Sequence, residues 1–593
     1  MTLDGRGMRL LYATETGTAA ELAQLAAEHF AKYVTSLKVV EISEYDYTQL
    51  PSEDLVLFIV STTGDGEVPQ DMRKFWRFLL RKDLPTNSLS QVQYAVFGLG
   101  DSSYVKFNAA ARKLDKRLVD LGAIAVLPVK LGDEQEQSGL EGALEDWLNQ
   151  LTKKLKLELS PSHNTTSSTL YYRVIESNDH WKPVKDKPID KWVAGECRAV
   201  HQQSFWEAKV LSNELLVAAD CEHEVRQISL SIPSTSITYK PGDVVYIYPK
   251  NSKLETEKFL QCMGYDPNRV LEVERRNDIA PALNVNCPCT LASLVASQFD
   301  LYALPRRTFF RKLAKFATDP EERDKLLHFA SPQGSDDFHQ YVTIERHNIL
   351  MCLRDFPSAR PCVEDLMQFL PPLRPRPFSI ASSPTYHSDR LEVCVSIVKY
   401  QDCFGFLRQG LCSSFLKRSS CGDIIPVFIK EGSLKFPKVT DPRPLIMIGP
   451  GTGVSPFRSY LWECFASTQS QNGQEEKPLR MLFFGCRYEH QDFLYKEEWE
   501  ALKRANILSE LYTAFSRDGI QKVYVQHRIR EQAKKITEWI KHDDGVVLVA
   551  GSAKQMPQDI RQTLQDILGD EIESPKYVQK MEALGRFQVE CWS

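Results

Sequence analysis

No apolar run in the 593 residues of this chain approaches the ~18–20 residues that cross a bilayer. Residues Met1 to Arg9 lack the apolar core of a secretory leader. The fourteen cysteines are scattered without the paired spacing of a zinc site. Cys287-Pro288-Cys289 is too close-set for a zinc knuckle and has no second pair at a suitable distance. These absences predict a soluble, cytoplasmic protein with free thiols, no metal centre and no membrane contact. Positive charge is not in excess: 73 Lys+Arg stand against 78 Asp+Glu, a net of −5, which argues against a general affinity for nucleic acid. Internal repeats are also lacking.

Three phosphate-binding patterns, each of a different design, lie in order along the chain. At ~150 residues per domain the length allows about four domains. Acidic charge concentrates at the amino-terminal end, where residues 1–152 hold 22 Asp+Glu and 15 Lys+Arg. Such a face suits docking on a basic surface elsewhere in the chain or on a partner.

Residues 1–152 alternate strand and helix. Met8–Ala13, Leu55–Ser61, Gln93–Phe97 and Ala123–Val129 read as strands, and Ala19–Lys32 as a helix with Leu22, Leu25, Ala26 and Phe30 on its apolar side. Continuous apolar strands suit a parallel sheet covered on both faces. The pattern predicts a five-stranded doubly wound α/β domain with its ligand at the carboxyl ends of the strands.

The polar stretch Leu159–Ser168 reads as part of a flexible linker spanning residues 153–191. From about 192 the chain turns to short strands broken by Gly and Pro, such as Tyr239–Pro249, predicting an antiparallel barrel over 192–436. Residues 254–370 are mainly helical, including Arg306–Phe316 and Pro320–Phe329, and read as an insert in that barrel. Barrel strands resume at Pro377–Ala381 and Leu391–Val398. A final βα alternation over 437–593 includes Pro444–Ile448, Leu479–Phe484 and Gly545–Ala550.

The first cradle is Thr14-Glu15-Thr16-Gly17-Thr18-Ala19, between a strand and a helix start. Free N–H groups and the helix dipole favour an anion there. There is no Gly-Lys-Ser/Thr, so a triphosphate with magnesium is not its ligand; a metal-free phosphate monoester suits FMN. Ser61-Thr62-Thr63-Gly64 and Leu99-Gly100-Asp101, with Tyr104, Phe107 and Asn108, project from the same sheet edge. Tyr104 can stack on a flat ring, and Glu134 after the fifth strand completes the rim.

The second cradle is Arg376-Pro377-Phe378-Ser379, within the run Arg374–Ser383. Arg376 offers a fixed fork to a pyrophosphate, Phe378 can lie on a flavin, and Ser379 falls near the ring's reactive edge. Gly410-Leu411-Cys412-Ser413 reads as a helix start whose N–H groups hold the same pyrophosphate, the pattern for FAD. The third cradle, Gly449-Pro450-Gly451-Thr452-Gly453, follows an apolar strand and opens a helix, as in dinucleotide domains. Ser516, Arg517, Lys522, Tyr524 and Gln526 then gather cations, a hydroxyl and an aromatic. Those groups suit an adenosine 2′-phosphate, hence NADPH in preference to NADH.

These motifs together resemble the diflavin reductase family over essentially the whole chain. Tyr104-Val105-Lys106-Phe107-Asn108 and Asp115-Lys116-Arg117-Leu118 match its flavodoxin-like FMN domain. Thr63 stands where the microsomal member has a ring-stacking tyrosine, and Phe378 stands for the tyrosine of the Arg-x-Tyr-Ser signature. The family cysteine beside the nicotinamide falls on Ala550. By the resemblance, Trp592 is the aromatic that covers the FAD ring and swings aside for nicotinamide, and Glu590 matches an aspartate that assists hydride transfer. The resemblance implies electron flow from NADPH to FAD to FMN and then to a one-electron acceptor. Its nearest branch is the soluble one that reduces the iron–sulphur protein anamorsin in cytosolic iron–sulphur protein assembly. Two other readings stay open: the flavoprotein subunit of a sulphite reductase, and a non-catalytic protein-binding regulator of stress-induced cell death.

Overall fold

A computed structural model describes the chain apart from residues 1–6, 16, 35, 64–65, 105, 159–171, 177–205, 233–236, 276–286, 470–477, 554, 570–572 and 593. Most of the expected linker, with Leu159–Ser168, and the candidate residues Thr16 and Gly64 therefore lie outside the described residues. The chain forms two compact units.

The first unit takes its residues from Met1–Gln203, Asn251–Arg374 and Asp402–Gly405. Its amino-terminal part is a parallel sheet of β1 (Met8–Ala13), β2 (Leu37–Glu41), β3 (Leu55–Ser61), β4 (Gln93–Gly100), β5 (Ile124–Ala125) and β6 (Lys130–Asp133), in the order β2-β1-β3-β4-β5, with β6 also on β4. Side chains alternate across each strand. Leu10, Leu57, Ala95 and Phe97 meet one helical layer through Leu22, Phe30 and Trp147. Leu11, Val56, Phe58 and Val96 meet the other through Phe75 and Leu114. The doubly wound fold read from the sequence is thus present. The fifth strand is the exception, because the expected run Ala123–Val129 breaks into β5 and β6. Pro128 lies in the gap, where it has no N–H to give to a ladder.

The rest of this unit is mostly helical, including Lys253–Met263, Leu291–Gln298, Arg307–Leu313, Pro320–Ala330, Ile349–Asp355 and Val363–Phe369. They close over a core containing Phe259, Phe299, Phe310 and Leu353. A small antiparallel sheet accompanies them, and its outer strand, Tyr172–Glu176, pairs with Val270–Arg275. Five residues of the expected flexible linker are therefore ordered strand. The helical insert belongs to the same unit as the flavodoxin-like sheet.

The second unit takes Ser204–Lys250, Pro375–Gln401 and Phe406–Ser593. It contains a six-stranded antiparallel sheet in the order Arg376–Ser379, Val244–Ile247, Ile424–Lys430, Trp206–Leu215, Val225–Ser231, Arg390–Ser396. Its core includes Val210, Ile228, Val245, Val393 and Leu416. A second, parallel sheet runs Glu510–Phe515, Arg480–Cys486, Leu445–Ile448, Val546–Ser552, Phe587–Trp592. Arg458, only 3 % exposed, ties the two sheets of this unit together. It donates to Ala381 O at 2.9 Å and Glu392 Oε2 at 2.7 Å, and reaches both Glu498 oxygens at 2.8 Å.

Candidate functional site

The Thr14 loop leads from β1 into the helix Thr18–Phe30. Gly17 is that helix's N-cap, with φ at 102°, a left-handed conformation that side-chain-bearing residues rarely adopt. Its N–H donates to Thr14 Oγ1 at 2.9 Å, and Thr14 is 9 % exposed. A Glu15 carboxylate oxygen takes the N–H of Gln70 at 3.0 Å, fixing the loop from the side. Thr18 and the buried Ala19 begin the first helical turn. Helix N–H groups with a hydroxyl nearby suit a phosphate monoester.

The neighbouring loops come to the same edge. Ser61 Oγ donates to Ala13 O, and Thr62 N–H to Leu99 O. Thr63 and Glu67 exchange backbone hydrogen bonds, closing the loop that Gly64 belongs to. Gly100 O accepts from Glu134 N, and Asp101 Oδ1 from Ser103 N at 2.8 Å. Tyr104 is 63 % exposed, so its ring face is open to stacking, and Phe107 N donates to Tyr104 O. Asn108 is fully buried and left-handed (φ 54°), with Nδ2 donating to Gly132 O at 2.8 Å. It braces the rim from beneath.

In the second unit, Arg376, Pro377, Phe378 and Ser379 form one strand, and Phe378 pairs in register with Val245. Phe378 packs partly against the barrel core. The helix Leu411–Arg418 starts after Gly410. Burial pushes the Cys412 thiol up to about 12 while the nearby Arg376 charge pulls it down. An arginine on this strand and a helix start in the same unit have the chemistry that suits a pyrophosphate. Ser413 Oγ accepts from Val398 N at 3.1 Å and steadies the turn.

Ser379 Oγ donates to Glu590 Oε1 at 3.0 Å. The second oxygen, Oε2, accepts from Ser433 N at 3.1 Å and Ser433 Oγ at 2.6 Å. Trp592 ends the same strand, its carbonyl taking the N–H of Ala553. Its side chain packs partly buried beside the cluster of Val454, Phe457 and Ala550.

Past Leu445–Ile448 the glycine turn leads through Gly451–Val454 into the helix Ser455–Gln469. A Cβ on Gly453 would stand 2.1 Å from Ala550 O, so only glycine permits this approach. A Cβ on Gly451 would meet nothing within 4 Å, leaving its face open to a ligand. Thr452 O accepts from Ser455 Oγ. Ser516 Oγ donates to Cys486 O at 3.2 Å. Arg517 Nη1 lies 2.6 Å from Glu222 Oε2, and Arg487 Nη1 donates to the same oxygen at 3.1 Å. Sequence reading missed Arg487 as a site residue and Glu222 altogether, because the partners are 265 and 295 residues apart. Two guanidinium groups around one carboxylate oxygen form a ready anion site. Lys522 is exposed, and Tyr524 is 43 % exposed and stacked on His527. Gln526 Nε2 reaches Asp559 Oδ2 at 3.3 Å.

Among the described residues there is no group of three or more His, Cys, Asp or Glu that could hold a metal ion. No described helix is long and apolar enough to cross a membrane.

Three family models match the chain in order: flavodoxin over residues 10–147, FAD binding domain over 198–415, and oxidoreductase NAD-binding domain over 447–562. Proteins named NADPH-dependent diflavin oxidoreductase 1 match end to end. The one from Xenopus laevis is 36% identical, covering 99% of this chain and 100% of the relative. Those from Mus musculus (35%; 98% of this chain, 99% of the relative) and Arabidopsis thaliana (36%; 99% of each) match as fully. The chain belongs to the NADPH-dependent diflavin oxidoreductase family. It is an oxidoreductase with FMN, FAD and nicotinamide-nucleotide domains, and in each the residues at the cradle fit the phosphate chemistry of its group.

Proposed function

We propose that the chain carries electrons from NADPH through FAD and FMN to a one-electron acceptor, an anamorsin-type iron–sulphur protein in cytosolic iron–sulphur protein assembly. When bound, the nicotinamide supplies a hydride and the two flavins convert the electron pair into single electrons. The protein's part is to bind, orient and shield.

The observation that carries the reading is the Ser379–Glu590–Ser433 cluster, in a chain whose relatives over its full length are named NADPH-dependent diflavin oxidoreductases. Ser379 presents its hydroxyl at the flavin's reactive edge, and Glu590 holds that hydroxyl while Ser433 holds the carboxylate. Trp592 shields the ring face until nicotinamide enters. Arg376 and the Gly410–Ser413 helix start hold the FAD pyrophosphate. Thr14–Ala19 hold the FMN phosphate with Tyr104 on the ring, and Ser516, Arg517, Lys522, Tyr524 and Gln526, joined by Arg487, hold the adenosine 2′-phosphate.

The acidic amino-terminal face is already met within the first unit. Lys312 Nζ reaches Glu28 Oε1 at 2.9 Å, Thr308 Oγ1 donates to Glu141 Oε1 at 2.6 Å, and Arg311 lies 3.3 Å from Glu145. Partly exposed pairs of this kind contribute only ~0–1 kcal/mol each, so a basic partner surface can compete for them. The test is direct: the purified protein with NADPH reduces an anamorsin-type iron–sulphur protein anaerobically. Reduction of cytochrome c without reduction of that partner rejects the assembly role and keeps the reductase.

A further inference from the structure

Arg374 lies two residues before Arg376, the first residue of its strand, and the sequence alone assigns Arg374 no ligand. Its guanidinium lies against the Thr14–Thr18 loop. A Cβ built on Gly17 would stand 2.7 Å from Arg374 Cζ and Nε and 2.8 Å from Nη1. That loop is also the N-cap turn of a thirteen-residue helix, with the Thr14 hydroxyl within it. The same guanidinium is close enough to Tyr12, on β1, to oppose the rise in that hydroxyl's pKa caused mainly by burial.

Glu21, which lies near this arginine, has a closer partner. Glu21 Oε2 lies 2.6 Å from Arg306 Nε, whereas Glu21 Oε1 is 4.0 Å from Arg374 Nη2. Two cations therefore approach the first turn of the helix. Arg306 is matched mainly to the carboxylates, Glu21 foremost and then Glu141 and Glu134. Arg374 is packed on the glycine turn, where a phosphate arrives.

We propose that Arg374 is a binding residue for the FMN phosphate, supplied from outside the flavodoxin-like domain. The inference rests on Thr14–Ala19 being the FMN phosphate loop. A dianion at a helix N-terminus accepts a guanidinium fork at an angle the backbone N–H groups leave open. Because Arg374 leads out of the helical insert, FMN binding and the packing of that insert on the flavodoxin-like sheet are linked. Each strengthens the other by the same factor.

The test uses the full chain, stripped of FMN but retaining FAD, and titrated by flavin fluorescence with FMN or with riboflavin, which lacks the phosphate. In the unaltered protein FMN binds more tightly than riboflavin. Arg374→Ala weakens FMN by about 10- to 100-fold, the range for a lost charge-assisted contact, and leaves riboflavin unchanged. Arg374→Lys recovers part of the loss. If Arg374→Ala also sheds FAD, Arg374→Gln is judged by the same criterion. Equal loss for both ligands, or no loss for either, overturns the role of Arg374. An unaltered protein with no preference for FMN over riboflavin overturns the phosphate-loop reading itself.

Discussion

Ser379 donates its hydroxyl to Glu590 Oε1 at 3.0 Å, and the other oxygen of that carboxylate takes both the N–H and the hydroxyl of Ser433. The hydroxyl comes from a barrel strand and the carboxylate from the edge strand of the parallel sheet. Fixing Ser379 thus depends on two sheets of one unit. Ser379→Ala is expected to slow NADPH-driven flavin reduction by about 10- to 100-fold, the scale of a lost positioning contact, with FAD content unchanged. Single-turnover stopped-flow absorbance measures it. Ser433→Ala is expected to give a smaller loss in the same direction, because it frees Glu590 without removing the hydroxyl.

The anion site at Arg487 and Arg517 holds an internal carboxylate, Glu222. In the proposed site a 2′-phosphate would compete with it. Arg517→Ala and Lys522→Ala are expected to raise KM for NADPH by about 10- to 100-fold and to leave NADH nearly unaffected. Glu222→Gln should lower KM for NADPH. Equal changes for both nucleotides in all three variants would refute the site.

Removing a buried cation should be costly. Arg458→Ala strips Glu392, 3 % exposed, of its 2.7 Å partner and leaves that buried carboxylate with Arg390 as its remaining arginine partner, at 3.0 Å, at a cost of about 3 kcal/mol. Urea unfolding followed by FAD release measures the loss. A change below about 1 kcal/mol would mean that Arg390, 3.0 Å from Glu392 Oε1, compensates the carboxylate by itself.

Acid should weaken the barrel through Glu224. Burial raises this carboxyl, but Lys417, Arg226 and Lys399 outweigh it and hold it down at about 2. A pKa depressed on folding gives stability that is complete above the unfolded value, ~4.3, and is lost as pH falls towards 2. Thermal unfolding between pH 5 and pH 2 checks this. Glu224→Gln is expected to flatten the dependence, and an unchanged slope would assign it to other carboxylates.

Local pattern made much of this legible. The continuous apolar run Leu55–Ser61 forms a strand with the same ends, and the hydroxyl- and glycine-rich turns fall at helix starts. What escaped was non-local. Tyr172–Glu176 became a strand because Val270–Arg275 pairs with it from about a hundred residues away, information that five residues do not carry. Glu222 meets two arginines across more than 260 residues. Arg374 likewise drew no site reading from the sequence, because its approach to Gly17 spans more than 350 residues.

The most direct test of electron passage through the flavins in series is an anaerobic NADPH titration of the full chain, with and without FMN. With both flavins, the account predicts bleaching of flavin absorbance and reduction of cytochrome c. Without FMN, bleaching of the FAD band should persist while cytochrome c reduction falls to a few per cent. No bleaching in the loaded protein, or full cytochrome c reduction in the FMN-free protein, would contradict it.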